Sequence, residues 1–300
     1  MEVRGIITAM VTPMRVNQEV DYEMLKILTR TLIDKGIHGL FILGTNGEFY
    51  TLTNEEKIKI AQTVITEANH AVPIFVGTGA CSTAETITQC KIMEKLGADA
   101  LSVITPYFMA PTQQELVVHY RSIAASVDIP IIMYNMPKNT GINIEPESTA
   151  ILAEVKNIIA IKDSSGNLAN MKKYIELTKG MNFSVLSGSD SLILDLLMAG
   201  GTGAVAATSN ILTEIDVAIY DRFVAGNLVE ARKAQQSIEE FRRILKLGTT
   251  PTILKKAMEF YGLNVGPARL PASSPGNEDV IEDIRKVVET YKLLIADKAY

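Results

Sequence analysis

The sequence predicts an α/β fold, a (β/α)8 TIM barrel with a C-terminal helical extension, on three observations. Short apolar, β-branched runs alternate with longer segments of helical period, the runs number eight, and they lack the polar–apolar alternation of a half-solvated antiparallel sheet. A chain of 300 residues that is 47% apolar has enough material for one large core of this kind.

In order, the runs are GIITAMV (5–11), GLFILG (39–44), PIFVG (73–77), ALSVI (100–104), PIIMYN (130–135), IIAIKD (158–163), FSVLSG (183–188) and GAVAA (203–207). Helix-like stretches between them include 21–35, 54–68, 83–96, 112–126 and 167–178. Thr53 and Glu56 have capping-box spacing, and Pro146 stands where a first helical turn tolerates it. After Ala225 the pattern is helical throughout (227–247, 251–261, 277–296), interrupted by Gly262 and the Pro-rich stretch 266–275. The expected organisation is a catalytic barrel over residues 1–224 and a helical extension over 225–300.

The formal net charge of -5, with no basic block, offers nothing to nucleic acid or an anionic membrane. No apolar run approaches the length of a membrane span, and the N-terminus lacks a signal-peptide pattern, so a cytoplasmic protein is expected. Cys81 and Cys90 are too few for a disulfide framework and are expected to be buried thiols. His38, His70 and His119 are far apart and lack ligand spacing, so metal-free chemistry is favoured.

Active sites of such barrels form at the C-terminal ends of the strands, and three clusters fall there. Lys162 closes the apolar run IIAI, where desolvation would lower the amine pKa and leave neutral nucleophile for Schiff-base formation. The competing reading is a lysine that leaves the barrel to pair with Asp163 or another acid. Tyr134 opens YNMPKNTG (134–141), where a phenol can pass protons or can simply be a core tyrosine; residues 135–141 look like a turn. In GTNGE (44–48), two glycines and Thr45 could cradle a carboxylate with backbone N–H groups, or form an ordinary β/α loop.

In this order and spacing, the clusters resemble the dihydrodipicolinate synthase and N-acetylneuraminate lyase family of pyruvate-dependent class I aldolases. The resemblance spans the chain through GIITAMVTP, GTNGE, TPYF, YNMPKNTG, AIKDSSGNL, LSGSD and GGTGAVAATSN. It implies that Lys162 forms the Schiff base, that Tyr134 transfers protons, and that Thr45 with the backbone around Asn46 binds the pyruvate carboxylate. It further implies that Gly188 and Val205 line the pyruvate pocket, that Tyr107 crosses into a neighbouring subunit, and that the assembly is a homotetramer, a dimer of dimers. No cofactor is implied, because the iminium nitrogen itself serves as the electron sink.

Two positions depart from the synthase pattern. Synthases of the family usually carry a second relay tyrosine after the position of Tyr107, where this chain has Phe108. They also carry an arginine, gripping the aldehyde's carboxylate, where this chain has Asn139. Ser164 and Asp190 occupy positions that touch substrate hydroxyls in sugar-acid lyases, although an acid near Asp190 also occurs in the synthases. The preferred expectation is an aldolase that splits a 2-keto-3-deoxy-sugar acid or a 4-hydroxy-2-oxoglutarate type substrate into pyruvate and an aldehyde. The alternatives are 4-hydroxy-tetrahydrodipicolinate synthase, condensing pyruvate with aspartate semialdehyde, and a non-catalytic sensor of a 2-oxo acid. A sugar-acid dehydratase using the same imine is a further alternative.

Overall fold

The computed structural model describes residues 2–298 and 300. Eight strands form one sheet closed in chain order: β1 (Gly5–Ala9), β2 (Gly39–Ile42), β3 (Ile74–Gly77), β4 (Ala100–Ile104), β5 (Ile131–Asn135), β6 (Ile158–Asp163), β7 (Ser184–Ser187) and β8 (Gly203–Ala206). The pairing of β1 with β2, and of each neighbouring strand from β3 to β8, is parallel. This is a (β/α)8 barrel, and all strands but one are buried at every residue, as sheets covered on both faces require.

Thirteen α-helices are formed among the described residues. Eight of them intersperse with the strands: α1 (Tyr22–Asp34), α2 (Asn54–Ala68), α3 (Thr83–Lys95), α4 (Gln113–Ala124), α5 (Pro137–Thr140), α6 (Pro146–Ala153), α7 (Leu168–Leu177) and α8 (Ile193–Met198). The remainder follow β8: α9 (Thr213–Val224), α10 (Leu228–Ser237), α11 (Glu239–Ile244), α12 (Thr250–Tyr261) and α13 (Glu278–Ala296).

Local chemistry sets the boundaries. The Thr53 hydroxyl accepts from the Glu56 N–H at 3.2 Å and the Glu56 carboxylate accepts from the Thr53 N–H at 2.9 Å, closing the capping box of α2. Thr112 and Glu115 do the same for α4. Strand β1 stops at Ala9, two residues short of the apolar run, because beyond it the Val11 N–H donates to the Asn210 side chain at 3.2 Å instead of to a neighbouring strand. The segment expected as a turn after β5 is the one-turn helix α5, ended by Gly141 at φ 77.

The single helix expected over 227–247 is instead α10 and α11, separated at Ile238. The Tyr291 hydroxyl enters the helical ladder there, donating to the Ser237 carbonyl at 2.5 Å and accepting from the Phe241 N–H at 3.1 Å. Those are the two groups that an unbroken helix would join to each other. Hydrophobic periodicity carries no trace of such an insertion from a residue 50 positions away.

By its contacts the chain divides into two compact units, Pro73–Val205 with the residues up to Gly5, and Ile6–Val72 with Ala206–Tyr300. In the first, Ile131, Met133, Ala160 and Ile161 are fully buried on paired strands, so truncating Ile161 to alanine is expected to cost about 2–5 kcal/mol. In the second, Phe241, Ile253, Leu254 and Met258 give the C-terminal helices an apolar interior of their own. The expectation that both cysteines are buried holds for Cys90 alone. Cys90 donates its thiol to Thr78 at 3.2 Å, and burial pushes its pKa up to about 11. Cys81 lies between β3 and the N-cap of α3 and is exposed. Among the described residues, no helix is long and apolar enough to cross a membrane.

Candidate active site

Strands β5 and β6 run in register so that Tyr134 stands opposite Lys162 and Asn135 opposite Asp163. Successive side chains on a strand point to opposite faces, so the pair Tyr134 and Lys162 shares one face and the pair Asn135 and Asp163 the other. Lys162 and Tyr134 are 5% and 3% exposed, and the Lys162 Nζ lies 4.0 Å from the centre of the Tyr134 ring. Burial holds the Lys162 pKa below its usual 10.5; the charge and hydrogen bond of Tyr134, then the charge of Asp190, oppose this pull. A lysine so placed keeps part of its amine neutral, the form that attacks a ketone.

Asp190 is buried in a short turn after β7, and Ser164 and Gly188 approach each other closely at the ends of β6 and β7. The Gly188 N–H donates to the Asp163 carbonyl at 2.7 Å. A side chain at 188 would collide with the Ser164 hydroxyl, so only glycine lets the two strand ends meet in this way.

The opposite face of the same two strands carries a polar network that pattern reading did not identify. The Asp163 carboxylate accepts from Asn135 at 3.0 Å, from Asn170 at 2.9 Å, and from the Ser165 N–H at 2.7 Å and its hydroxyl. Asn135 also donates to the Asn143 side-chain oxygen Oδ1 at 2.7 Å and accepts from the Ile144 N–H at 3.0 Å. Tyr174 on α7 donates to the Ile144 carbonyl, and burial raises its pKa. Asp163 is thus bonded to the helix layer, so the proposed exit of Lys162 toward it is not what the chain does. Alternation along β6 was the available signal, since consecutive residues cannot both face the barrel interior.

In the second unit, Thr45 is half-buried and Asn46 buried. The Asn46 amide donates to the Ala9 carbonyl at 3.3 Å, and the Asn210 amide donates to the same oxygen at 2.9 Å, fastening the loop and the end of β1. Gly47 leaves room for Met10 O and Leu43 N, each 3.2 Å from where a Cβ would lie, and its carbonyl accepts from the Thr12 hydroxyl at 2.7 Å. Glu48 ends the loop at φ 57, fully buried, with its carboxylate 2.6 Å from the Lys255 ammonium of α12 and accepting from the Arg269 N–H at 2.7 Å. Burial lowers the Lys255 pKa, and Glu48 opposes that shift. Composition and motif gave no hint of this ion pair, whose members are 207 positions apart.

The remaining candidates are more dispersed. Val205 is buried on β8. Asn139 and its neighbour Lys138 are exposed on α5. Tyr107 is half-buried against Cys81, with its pKa pushed up to about 12, chiefly by desolvation. Phe108 adopts φ 79 and is 96% exposed.

A closed parallel barrel with a desolvated lysine set against a phenol on adjoining strands is the frame of a lysine-dependent carbon–carbon lyase. Comparison with known proteins agrees. The model of the dihydrodipicolinate synthetase family matches residues 2–290. The chain is 37% identical to a 4-hydroxy-tetrahydrodipicolinate synthase of Methanothrix thermoacetophila, over 94% of this chain and 95% of that protein. It is 38% identical to one of Syntrophus aciditrophicus, over 97% and 99%. The crystal structure of dihydrodipicolinate synthase from Thermotoga maritima superposes with a TM-score of 0.94 at 33% identity, covering 98% of this chain and 100% of that one. The chain belongs to the dihydrodipicolinate synthetase family, whose members are pyruvate-dependent, Schiff-base-forming class I aldolases.

Proposed function

We propose that Lys162 condenses with the ketone of pyruvate or a pyruvate-derived 2-oxo acid, and that a carbon–carbon bond is then made or broken beside the resulting imine. The observation that carries this reading is the buried Lys162 amine 4.0 Å from the Tyr134 ring on adjoining strands. The neutral amine adds to the keto carbon to give a carbinolamine. Loss of its hydroxyl as water, with Tyr134 supplying the proton, leaves an iminium. The electron-poor nitrogen then draws in the electrons of a C–H bond on the adjacent carbon, whose proton passes to the Tyr134 phenolate, and the enamine attacks an aldehyde, whose oxygen takes that proton up. Cleavage is the reverse: the bond to the aldehyde carbon breaks, its electrons pass into the enamine, and water later returns free pyruvate and the lysine amine.

Thr45 and the backbone at Asn46 take the pyruvate carboxylate, a role suited to a loop with two glycines. Gly188 and Val205 line the pyruvate pocket, and Ser164 and Asp190 meet hydroxyls of the longer substrate. Residues 1–224 form the catalytic barrel and 225–300 its helical extension. The enzyme acts in the cytoplasm as a homotetramer in which Tyr107 reaches a neighbouring subunit.

For the acceptor, we favour cleavage of a 2-keto-3-deoxy-sugar acid or a 4-hydroxy-2-oxoglutarate type substrate. Phe108 has no proton to relay, and Asn139 cannot grip a second carboxylate with a bidentate cation. The second reading, 4-hydroxy-tetrahydrodipicolinate synthase, is favoured by the names of the relatives at 34–38% identity.

Incubation with pyruvate and borohydride should add one reduced pyruvyl group at Lys162; recovery of that lysine unmodified would refute the Schiff base. A panel then separates the two substrates. Pyruvate release from 2-keto-3-deoxygluconate or 4-hydroxy-2-oxoglutarate supports the first reading, and condensation onto aspartate semialdehyde supports the second. Pyruvate trapping without turnover of any panel member would favour the sensor.

A further inference from the structure

We infer that Glu48 and Lys255 are positioning residues for substrate, through which the C-terminal extension holds the 44–48 loop in its binding geometry. The inference rests on the reading of that loop as the seat of the pyruvate carboxylate.

The loop must be rigid to work as a seat, because backbone N–H groups recognise an anion only when their directions are fixed in advance. Its own sequence works against that rigidity. Gly44 and Gly47 are the residues with the greatest backbone freedom, and Glu48 takes a left-handed conformation that a side chain disfavours. The order therefore has to come from the partners of the loop.

Two of those ties run to the end of β1 and the segment after it, 37 and 35 positions away: Asn46 to the Ala9 carbonyl and the Gly47 carbonyl to Thr12. The third is the Glu48 carboxylate, which is fully buried and spends both oxygens on the extension. One oxygen lies 2.6 Å from the Lys255 Nζ, and no other donor among the described residues reaches it. The second accepts from the Arg269 N–H at 2.7 Å. Lys255 is itself held in place, since its ammonium also donates to the Pro267 carbonyl at 3.0 Å.

The segment that receives Glu48 is fitted to the strand-end loops at other points too. The Met14 N–H donates to the Val265 carbonyl at 2.9 Å, and Gly266 at φ 69 packs so close to the Met14 carbonyl that a side chain there would overlap it. Arg269 forks onto the Glu56 carboxylate at 2.7 and 2.8 Å. The extension is thus built against the loops that follow β1 and β2, and Glu48 is the member of the proposed seat that it grips.

A buried ion pair is a costly way to gain stability, because desolvating two charges offsets most of their attraction. What it supplies is a single geometry: a carboxylate and an ammonium with no solvent alternative must stay together. A binding loop flanked by glycines gains from that in a way that a surface loop would not.

The test uses the full-length protein, with pyruvate as the probe and borohydride trapping at Lys162 as the readout, so that no acceptor need be known. Two quantities are measured: the pyruvate concentration that gives half-maximal trapping, and the limiting rate at saturation. The variants are Glu48→Gln, Lys255→Met and the double substitution, which leaves no lone buried charge. Melting curves confirm that each is folded. In every folded variant we expect the half-saturating concentration to rise about tenfold while the limiting rate stays within about threefold, as for a group that orients rather than reacts. Arg243→Ala, which breaks the exposed contacts of Arg243 with Glu240 and Asp283 on the same extension, should leave both quantities unchanged.

An unaltered half-saturation in a folded variant would overturn the inference. So would a double variant that behaves like the native protein, since the single-site losses would then reflect a stranded charge. A shift in Arg243→Ala as large as in the others would replace the clamp with general loosening. If the native protein does not trap pyruvate at all, the Schiff-base reading falls and takes this inference with it.

Discussion

Tyr134 and Lys162 are register partners on β5 and β6, and their neighbours Asn135 and Asp163 are partners on the opposite face. The pairing of the two strands therefore fixes the proposed reacting face and its buttress together. A one-residue slip would exchange them.

Lys162→Ala removes the proposed nucleophile and should reduce turnover by at least about a thousandfold. The fold should survive, because the loss of the buried methylene stem is offset in part by removing an amine that burial desolvates. The melting temperature and borohydride labelling together check this. A folded variant that still labels with pyruvate would move the nucleophile elsewhere.

Tyr134→Phe keeps the ring against the amine and deletes the hydroxyl. Turnover is expected to fall about a hundredfold, in the range for loss of a proton-transfer group, with a much smaller change in the pyruvate concentration needed. Measuring both constants separates proton transfer from binding, and an undiminished turnover number removes the phenol from the mechanism.

The lowered pKa of Lys162 has two consequences with pH. Imine formation needs the free base, so the rate of pyruvate trapping should rise with pH and level off below 10.5, the value for an ordinary lysine. A rate still climbing through that value would show an unperturbed amine. Stability follows from linkage. Between the folded pKa and 10.5 the unfolded chain binds a proton that the folded chain does not, so stability rises with pH across that window. Lys162→Met should lack that slope in denaturant titrations.

Asp163→Asn tests the buttress. The carboxylate accepts from two amides, Asn135 and Asn170, and from the Ser165 N–H and hydroxyl. An amide at 163 must turn its own donor toward one of these groups, leaving a buried polar atom unpaired at a cost of about 1–3 kcal/mol. Urea unfolding should report that loss. Turnover should fall with it, because Asn135 and Asp163 are the chain neighbours of Tyr134 and Lys162. An unchanged midpoint would mean that the network contributes nothing to the strand ends.

The alternation of runs, the placement of Lys162 and Tyr134 at strand ends, and the cap of α2 were all legible in sequence, because each depends on residues within a few positions of one another. The polar network was half legible: strand alternation turns Asp163 away from Lys162, but it does not say that Asn170 and Tyr174 on α7 will meet it there. The Tyr291 hydroxyl in the α10–α11 junction and the Glu48–Lys255 pair left no local signature at all. In both, the residue that completes the bond is supplied by tertiary folding from 50 or more positions away, and it is a type that usually faces solvent at least in part.

His119 gives an acid limb that is independent of the proposed chemistry. It is buried on α4, its Nδ1 lies 2.8 Å from the Thr83 hydroxyl, and its Nε2 has no partner among the described residues. Desolvation pushes its pKa down to about 4 from the usual 6.5. Above 6.5 the ring is neutral whether the chain is folded or not, and it imposes no penalty. As the pH falls from 6.5 toward 4, the unfolded chain takes up a proton that the folded chain refuses, so stability is lost across that interval. His119→Gln keeps a side chain able to bond Thr83 and cannot titrate. Its unfolding free energy should decline less steeply than that of the native protein between those two values, with the two slopes equal at neutral pH. Parallel slopes throughout would mean that His119 protonates in the folded protein as readily as it does in the unfolded chain.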